Sequence, residues 1–244
     1  MDRMIYLSMS GAKATMQRQD VLAHNLANVS TAGFRAELVA FRSVPVNGDG
    51  AGTRVFALES TSGYNDQPGV VTATGRNLDV ALQGQAWLAV QGLDGTEAYT
   101  RSGALDVSAD GTLVTRNGLS VLGDGGPITV PANASVLIAP DGTVSAAVGN
   151  GRPQAVGKLK LVTPEAPLAR GTDGLFRAAD GNELAADPNA RVQDGALEGS
   201  NVSAVETMIA MIAAARQFEQ QVKLMQTAQE DERAATKLLS PNGF

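Results

Sequence analysis

Two apolar stripes, one at each end of the chain, constrain the fold more than any other feature. Terminal segments of a globular domain are usually frayed and polar. Here residues 5–28 and 203–239 carry the most continuous amphipathic patterns of the sequence. In the C-terminal segment Val205, Met208, Ile212, Ala215, Phe218, Val222 and Met225 step by three and four residues, the period of one helix face. Met211, Ile209 and Leu224 widen that face, which predicts contact with more than one neighbour. An ordinary helix of a helical bundle is the other reading. Ser203 and Glu206 stand in a capping-box spacing ahead of the stripe. Gln217, Gln220, Gln221, Lys223, Gln226 and Gln229 fill the polar side. Glycine and proline are absent until Pro241 and Gly243, so the helix would run roughly 50 Å.

The N-terminal segment places Ile5, Met9, Ala12, Met16, Ala23 and Leu26 at heptad-like spacing, interrupted by Gln19. Asn28 and Gly33 are expected helix stops, because both tolerate the left-handed conformation. Ser30 and Thr31 favour a turn, and Phe34, Leu38 and Phe41 suggest a short second amphipathic piece.

Between these ends the pattern changes. Pro45, Gly48, Gly50, Gly52, Gly63, Pro68 and Gly69 punctuate a stretch that reads as an extended arm or a flexible loop. From Asn77 to about Ser200, short apolar runs alternate with turn dipeptides. The runs are 78–82, 87–90, 105–107, 113–115, 128–130, 136–138 and 159–162; the turns are Asp94-Gly95, Asp110-Gly111, Asn117-Gly118, Asp141-Gly142 and Asp180-Gly181. Asx-Gly between short runs signals hairpins, and hence an antiparallel sandwich or irregular barrel. The expected organisation is α+β. Residues 1–42 and 201–244 form a discontinuous helical domain whose helices pair as a coiled-coil-like layer. Residues 43–76 form an arm, and residues 77–200 form an inserted antiparallel β domain.

Composition excludes some functions. Charged residues make up 18% of the 244, the net charge is −6, and the 19 Lys and Arg are scattered, which argues against nucleic-acid binding. With no cysteine, disulfides and thiolate metal sites are ruled out. No run approaches the ~18 apolar residues of a membrane span. The start, Met1-Asp2-Arg3-Met4-Ile5-Tyr6, lacks the pattern of a Sec-type signal peptide.

Residues in chemically suggestive patterns are few. His24 is the single histidine and reads as a polar helix-face residue. The stretch 106–111 imitates a calcium loop but lacks the later ligands and closing glutamate. Gly123-Asp124-Gly125-Gly126 has no Lys-Ser/Thr after it, so it is not a phosphate loop. There is no G-x-S-x-G elbow. A carboxylate pair assembled in space stays open. Trp87, Tyr99 and Phe176 read as core. The expectation is a non-enzyme with no cofactor and no metal.

Two longer motifs are specific. Residues 25–35, Asn-Leu-Ala-Asn-Val-Ser-Thr-Ala-Gly-Phe-Arg, closely resemble the N-terminal signature of the flagellar axial proteins, the rod and hook family. Residues 197–206, Leu-Glu-Gly-Ser-Asn-Val-Ser-Ala-Val-Glu, continuing to Met208, Ile212, Arg216, Phe218 and Glu219, resemble that family's C-terminal signature. Ala32 departs from the family, which often has proline there. The internal stretches 41–46, 78–82, 86–90, 99–101, 126–131 and 157–162 extend the likeness over essentially the whole chain and bring it nearest to the proximal-rod subunits. The arm between Phe41 and Asn77 is shorter than expected for the distal rod.

The resemblance implies a structural building block. Its terminal helices would pack around the secretion channel of the rod, with the middle domain outside. It would arrive through the flagellar type III export apparatus without a cleaved signal and lie in the basal-body rod that spans the periplasm. Implied partners are further copies of the chain, other proximal-rod subunits, the distal-rod protein and the export apparatus, with no nucleic acid and no direct membrane insertion. The expected assembly interface joins the stripe residues Ile5, Met9, Met16, Leu26, Val205, Met208, Ile212, Phe218, Val222 and Met225 to Leu22 and to the signature residues Asn25, Asn28, Gly33, Phe34, Asn201 and Arg216. Gln217, Gln220 and Gln221 are either channel-facing or simply solvated. A distal-rod or hook subunit is the nearest alternative, and a secreted cell-wall-processing enzyme is the alternative from another class.

Overall fold

The computed structural model describes residues 2–45, 55–149 and 151–239. Gly48, Gly50 and Gly52 of the expected arm, and the expected terminators Pro241 and Gly243, lie outside the described residues. The chain divides into two compact units: residues 1–28, 37–64 and 202–244 form the first, and residues 29–36 and 65–201 the second.

The first unit contains α1 (Asp2–Ala27), α2 (Ala204–Leu239), and a long hairpin of β1 (Glu37–Pro45) and β2 (Val55–Tyr64). The helices pack on each other and α1 also meets the hairpin. Ser203 caps α2: its Oγ accepts from the Glu206 amide at 3.4 Å, and its carbonyl accepts from Thr207 Oγ1 at 2.7 Å. At the end of α1, Asn28 donates from Nδ2 to the His24 carbonyl at 2.9 Å, satisfying an orphan acceptor of the last turn. Phe41 and Leu38, expected in a short amphipathic piece, lie in β1, whose register runs Glu37↔Tyr64 to Pro45↔Val55 with a bulge between Ala40 and Phe41. The β-branched and aromatic residues of this stretch, among them Val39, Phe41, Val44, Val55, Phe56 and Thr61, favour a ribbon over a helix.

Burial along the helices follows a 3-and-4 spacing. On α1 the buried and half-buried positions include Ile5, Ser8, Ala12, Thr15, Gln19, Leu22 and Leu26; on α2 they include Thr207, Met211, Ala214, Phe218, Gln221, Met225 and Ala228. Both series are heptad seams. The most buried members, Ser8, Ala12, Thr15, Thr207, Ala214 and Ala228, are all small. Gly11 completes the close approach: a Cβ there would lie 3.0 Å from Cδ of Gln221, so the Gln221 amide rests where a side chain would otherwise stand.

The second unit is β throughout. In chain order its strands are β3 (Val71–Ala73), β4 (Val80–Leu82), β5 (Trp87–Gln91), β6 (Glu97–Thr100), β7 (Leu105–Val107), β8 (Leu113–Thr115), β9 (Leu122–Gly123), β10 (Gly126–Pro127), β11 (Ala134–Ile138), β12 (Thr143–Val148), β13 (Gln154–Lys158), β14 (Leu161–Val162), β15 (Ala169–Arg170), β16 (Phe176–Arg177), β17 (Val192–Asp194) and β18 (Ala196–Glu198). They form a five-stranded antiparallel sheet, β14-β5-β6-β16-β15, a three-stranded sheet, β11-β12-β13, and two-stranded pairs. The strands stay short because turns recur so often. At each of the five expected Asx-Gly turns the glycine has a positive φ, between 74° and 85°. Each glycine amide also donates to the carbonyl three residues earlier, as at Gly142 to Ala139 (2.9 Å). These are type I turns closed by a left-handed glycine rather than two-residue loops.

A continuous apolar core fills this unit, with Val80, Leu88, Val90, Leu105, Leu113, Val121, Val144 and Val192 fully buried. Trp87 and Phe176 lie against one another with ring centroids 4.6 Å apart. The last strands return to the first: β17 pairs with β4 through Val192↔Leu82, and β18 pairs with β3 through Glu198↔Val71.

Candidate assembly interface

The second unit buries charge where its first and last segments meet. Arg35, Arg101 and Glu198 are each at most 2% exposed. Glu198 Oε1 accepts from Arg35 Nη2 at 2.9 Å and from the Gly69 amide at 3.0 Å. Its Oε2 accepts from Arg101 Nε at 2.9 Å and from Arg101 Nη2. Arg101 uses all five of its donors: Nη2 also reaches the Leu82 carbonyl at 3.0 Å, and Nη1 donates to the carbonyls of Gly84, at 2.9 Å, and Ala86. Arg35 Nη1 donates to the Gln67 carbonyl. A fork of this geometry fits guanidinium and not ammonium, so lysine is no substitute at 101.

Backbone pairing surrounds this cluster. The Gly33 amide donates to the Glu198 carbonyl at 2.8 Å, and the Asn201 amide donates to the Phe34 carbonyl at 3.2 Å. Asn201 splints two strands of chain: Oδ1 accepts from the Ala36 amide at 2.7 Å, and Nδ2 donates to the carbonyls of Asn65 (2.9 Å) and Gln67 (2.7 Å). Phe34 is buried beneath the Arg170 guanidinium, 4.7 Å from its ring centroid. Gly33 has φ +69°, and a Cβ there would fall 2.3 Å from the Arg101 carbonyl carbon.

Asn25 does for the first unit what Asn201 does for the second. Its buried amide donates from Nδ2 to the Glu37 carbonyl at 2.9 Å and accepts at Oδ1 from the Glu37 amide at 2.8 Å. His24, on the same turn, pairs through Nδ1 with Glu37 Oε2 at 3.0 Å.

The expected interface residues therefore fall into three groups. Gly33, Phe34 and Asn201 are packed within the β unit, and Asn25 and Asn28 are engaged at the end of α1. Ile5, Leu22, Leu26, Phe218, Val222 and Met225 are half-buried on the helices. Met9, Met16, Val205, Met208, Ile212 and Arg216 are exposed. On α2, Val205, Met208, Ile209 and Ile212 leave 50% to 68% of their surface uncovered, in i, i+3, i+4, i+7 order. Tyr6, Met9 and Met16 form a matching outward stripe on α1. Sequence reasoning placed Arg35, Arg101 and Glu198 in its motifs without giving them a role. The available signal was opposite charge in two signatures that must meet.

Among the described residues no helix is long and apolar enough to cross a membrane, and no three His, Asp or Glu side chains gather as metal ligands.

Paired terminal helices with apolar stripes turned outward, and a β unit that draws both signatures into one buried cluster, define a structural subunit of a protein assembly. The family of the flagellar hook protein FlgE/F/G D1 domain matches residues 81–146, that of the flagellar basal body rod FlgEFG protein C-terminal region matches residues 193–238, and that of the flagella basal body rod proteins matches residues 5–35. The chain is 48% identical to the flagellar basal-body rod protein FlgF of Salmonella typhimurium, over 98% of this chain and 99% of that protein. It is 47% identical to FlgF of Escherichia coli K12 over the same shares, and 32% identical to the rod protein FlgG of Bacillus subtilis over 93% and 96%. The chain belongs to the FlgF family of flagellar basal-body rod proteins.

Proposed function

We propose that this chain is a structural subunit of the proximal rod, built into the axial layer through the outward stripes of α1 and α2. The observation that carries this reading is the exposed Val205-Met208-Ile209-Ile212 stripe on an otherwise paired helix. A rod is a helical array, and its contacts are heterologous: each subunit presents different faces to different neighbours. One α2 face serves the partner helix within the chain and the other serves an adjacent subunit. Covering an apolar side chain that is half exposed contributes about 1 kcal/mol, so the four stripe residues of α2 and the three of α1 make a contact that gains strength by repetition around the array.

In this reading the neighbours are other copies of the chain, other proximal-rod subunits and distal-rod FlgG. The subunit reaches its place through the flagellar type III export apparatus and ends in the part of the rod that spans the periplasm. No reaction is assigned to it, and no cofactor. The test is electron microscopy of basal bodies from cells lacking the chain. Rods that stop short, with no hook outside, support the reading. Complete rods and hooks overturn it.

A further inference from the structure

The five-stranded sheet is buried on both faces. Side chains alternate across a sheet, and Leu88, Val90, Ala98 and Leu161 point into the apolar core. Trp87, Ala89, Tyr99, Val162 and Phe176 share the opposite face by register, and each is at most 4% exposed. Residues 178–191, which link β16 to β17, run past this second face without forming a helix or a strand. A structureless connection of such length is uncommon in a compact domain. It is also thinly held. Gly181 and Asn182 bond back to Ala178 and Asp180 within the segment. Among the described residues, the one hydrogen bond from 179–186 to a strand runs from the Leu184 amide to the Tyr99 hydroxyl, at 2.7 Å. The far end is fixed at Asp187, whose amide donates to the Leu161 carbonyl at 2.7 Å and whose carboxylate accepts from Thr163 Oγ1 at 2.7 Å.

A buried ion pair sets the accepting role of Tyr99. Lys160 Nζ donates to Glu97 Oε2 at 2.6 Å, and the Tyr99 hydroxyl donates to Glu97 Oε1 at 2.8 Å. An ammonium only donates and a carboxylate only accepts. The phenol hydrogen is therefore committed to Glu97, and a lone pair is left for the Leu184 amide. The Lys160 side chain is 15% exposed and that of Glu97 6%, so water competes little. Hydrogen bonds aligned in one direction strengthen one another in such surroundings.

We propose that residues 178–191 form a detachable strap, latched onto the second face of the sheet by the directed chain Lys160–Glu97–Tyr99–Leu184. The strap opens as a local unit while the sheet and the main core stay folded, and opening bares the Tyr99 hydroxyl and the face around it. Glu97 and Lys160 are positioning residues that act on the strap through Tyr99. Two observations favour a local motion. Glu183, Ala185 and Ala186 are exposed and Leu184 is only half-buried, and segments with few buried contacts open at low free energy. The sheet beneath keeps its own ladder, because β5, β6 and β16 pair without any strap residue.

The test is limited digestion of the full-length chain by a glutamate-specific protease, in urea below the unfolding transition. Cleavage of the Glu183–Leu184 bond is followed by mass spectrometry, and exchange of the Leu88 and Val90 amides is followed in parallel. Cleavage is expected to be nearly independent of urea, whereas exchange at Leu88 and Val90 rises steeply, since global unfolding exposes far more surface than local opening. Tyr99→Phe keeps the ring and loses the latch, so cleavage without urea should rise roughly tenfold, the effect of one net hydrogen bond. Glu97→Gln lets residue 97 donate as well as accept. Its amide then competes with Leu184 for the phenol oxygen, and cleavage should rise severalfold. Cleavage with the same steep urea dependence as the sheet amides overturns the strap, because the bond then opens only by global unfolding. A Tyr99→Phe chain cut no faster than the natural one overturns the latch, and a Glu97→Gln chain cut no faster overturns the directed chain. Should either variant fail to fold, the urea dependence of the natural chain still decides whether the strap opens locally.

Discussion

Gly33 shows how much one position can carry. Its φ of +69° lies in the left-handed region, and the missing side chain is the space occupied by the Arg101–Ser102 peptide. Gly33→Ala meets both the backbone penalty and the steric one. Strain of this kind costs about 1–3 kcal/mol before the clash is added. The expected result is a β unit destabilised by at least that much, seen as a lower urea midpoint with an unchanged slope. Tyr99 carries the pH dependence. Burial lifts its hydroxyl above the ordinary tyrosine value of about 10, with a hydrogen bond to Glu97 acting the same way and one from the Leu184 amide opposing. A raised folded-state pKa means stability that is complete below about pH 10 and is lost as the pH climbs beyond it. Tyr99→Phe removes the bonds to Glu97 (2.8 Å) and Leu184 (2.7 Å), so the variant starts less stable; its stability above pH 10 should then fall less steeply than that of the natural chain. At this scale the sequence named residues better than roles. Asn25, Gly33 and Asn201 stood in the motifs, but the bonds that use them span up to 165 residues, as from the Ala36 amide to Asn201. No local pattern carries that information.

The helices show where periodicity informs and where it misleads. Their positions, the Ser203 cap and the start of α2 all followed from spacing and residue type. The phase of the inner face did not. The large residues Met9, Met16, Val205, Met208 and Ile212 face outward, whereas the buried seam runs through Ser8, Ala12, Thr15, Thr207, Ala214 and Ala228. Helices that approach closely select small side chains, which hydropathy ranks low. Phe218 belongs to the seam and Ile212 to the outer stripe, so one substitution at each separates their uses. Phe218→Asp places a charge in the seam and should cost about 2 kcal/mol or more of helix pairing, visible as lost far-ultraviolet helical signal. Ile212→Asp alters an exposed position and should leave that signal unchanged while blocking incorporation into rods, scored by motility and by basal-body composition. Normal incorporation of the Ile212→Asp chain would exclude the outer stripe as a contact.

For the molecule as a whole, stability is unevenly distributed. The β unit holds a connected core of fully buried Val, Leu and Trp side chains, together with the ion cluster. Among the described residues the helical pair fully buries no hydrophobic side chain larger than alanine, and leaves Ile5, Leu22, Leu26, Met211, Phe218, Val222 and Met225 half-covered. A buried methyl contributes about 0.8 kcal/mol, whereas fixing each residue's backbone costs about 1–2 kcal/mol. A 36-residue α2 that leaves Val205, Met208, Ile209 and Ile212 in water is thus short of the burial that would hold it by itself. Local opening follows the same accounting, since segments with few buried apolar contacts open at low free energy. Amide exchange on a verified monomer should therefore show slow exchange at Leu88, Val90, Leu105, Leu113 and Val192, and fast exchange from Met208 to Met225. In assembled rods the second set should become as slow as the first, because neighbouring subunits then cover the outer stripe. Strong protection of 208–225 in the monomer would show that the seam suffices, and that assembly joins helices already rigid rather than ordering them.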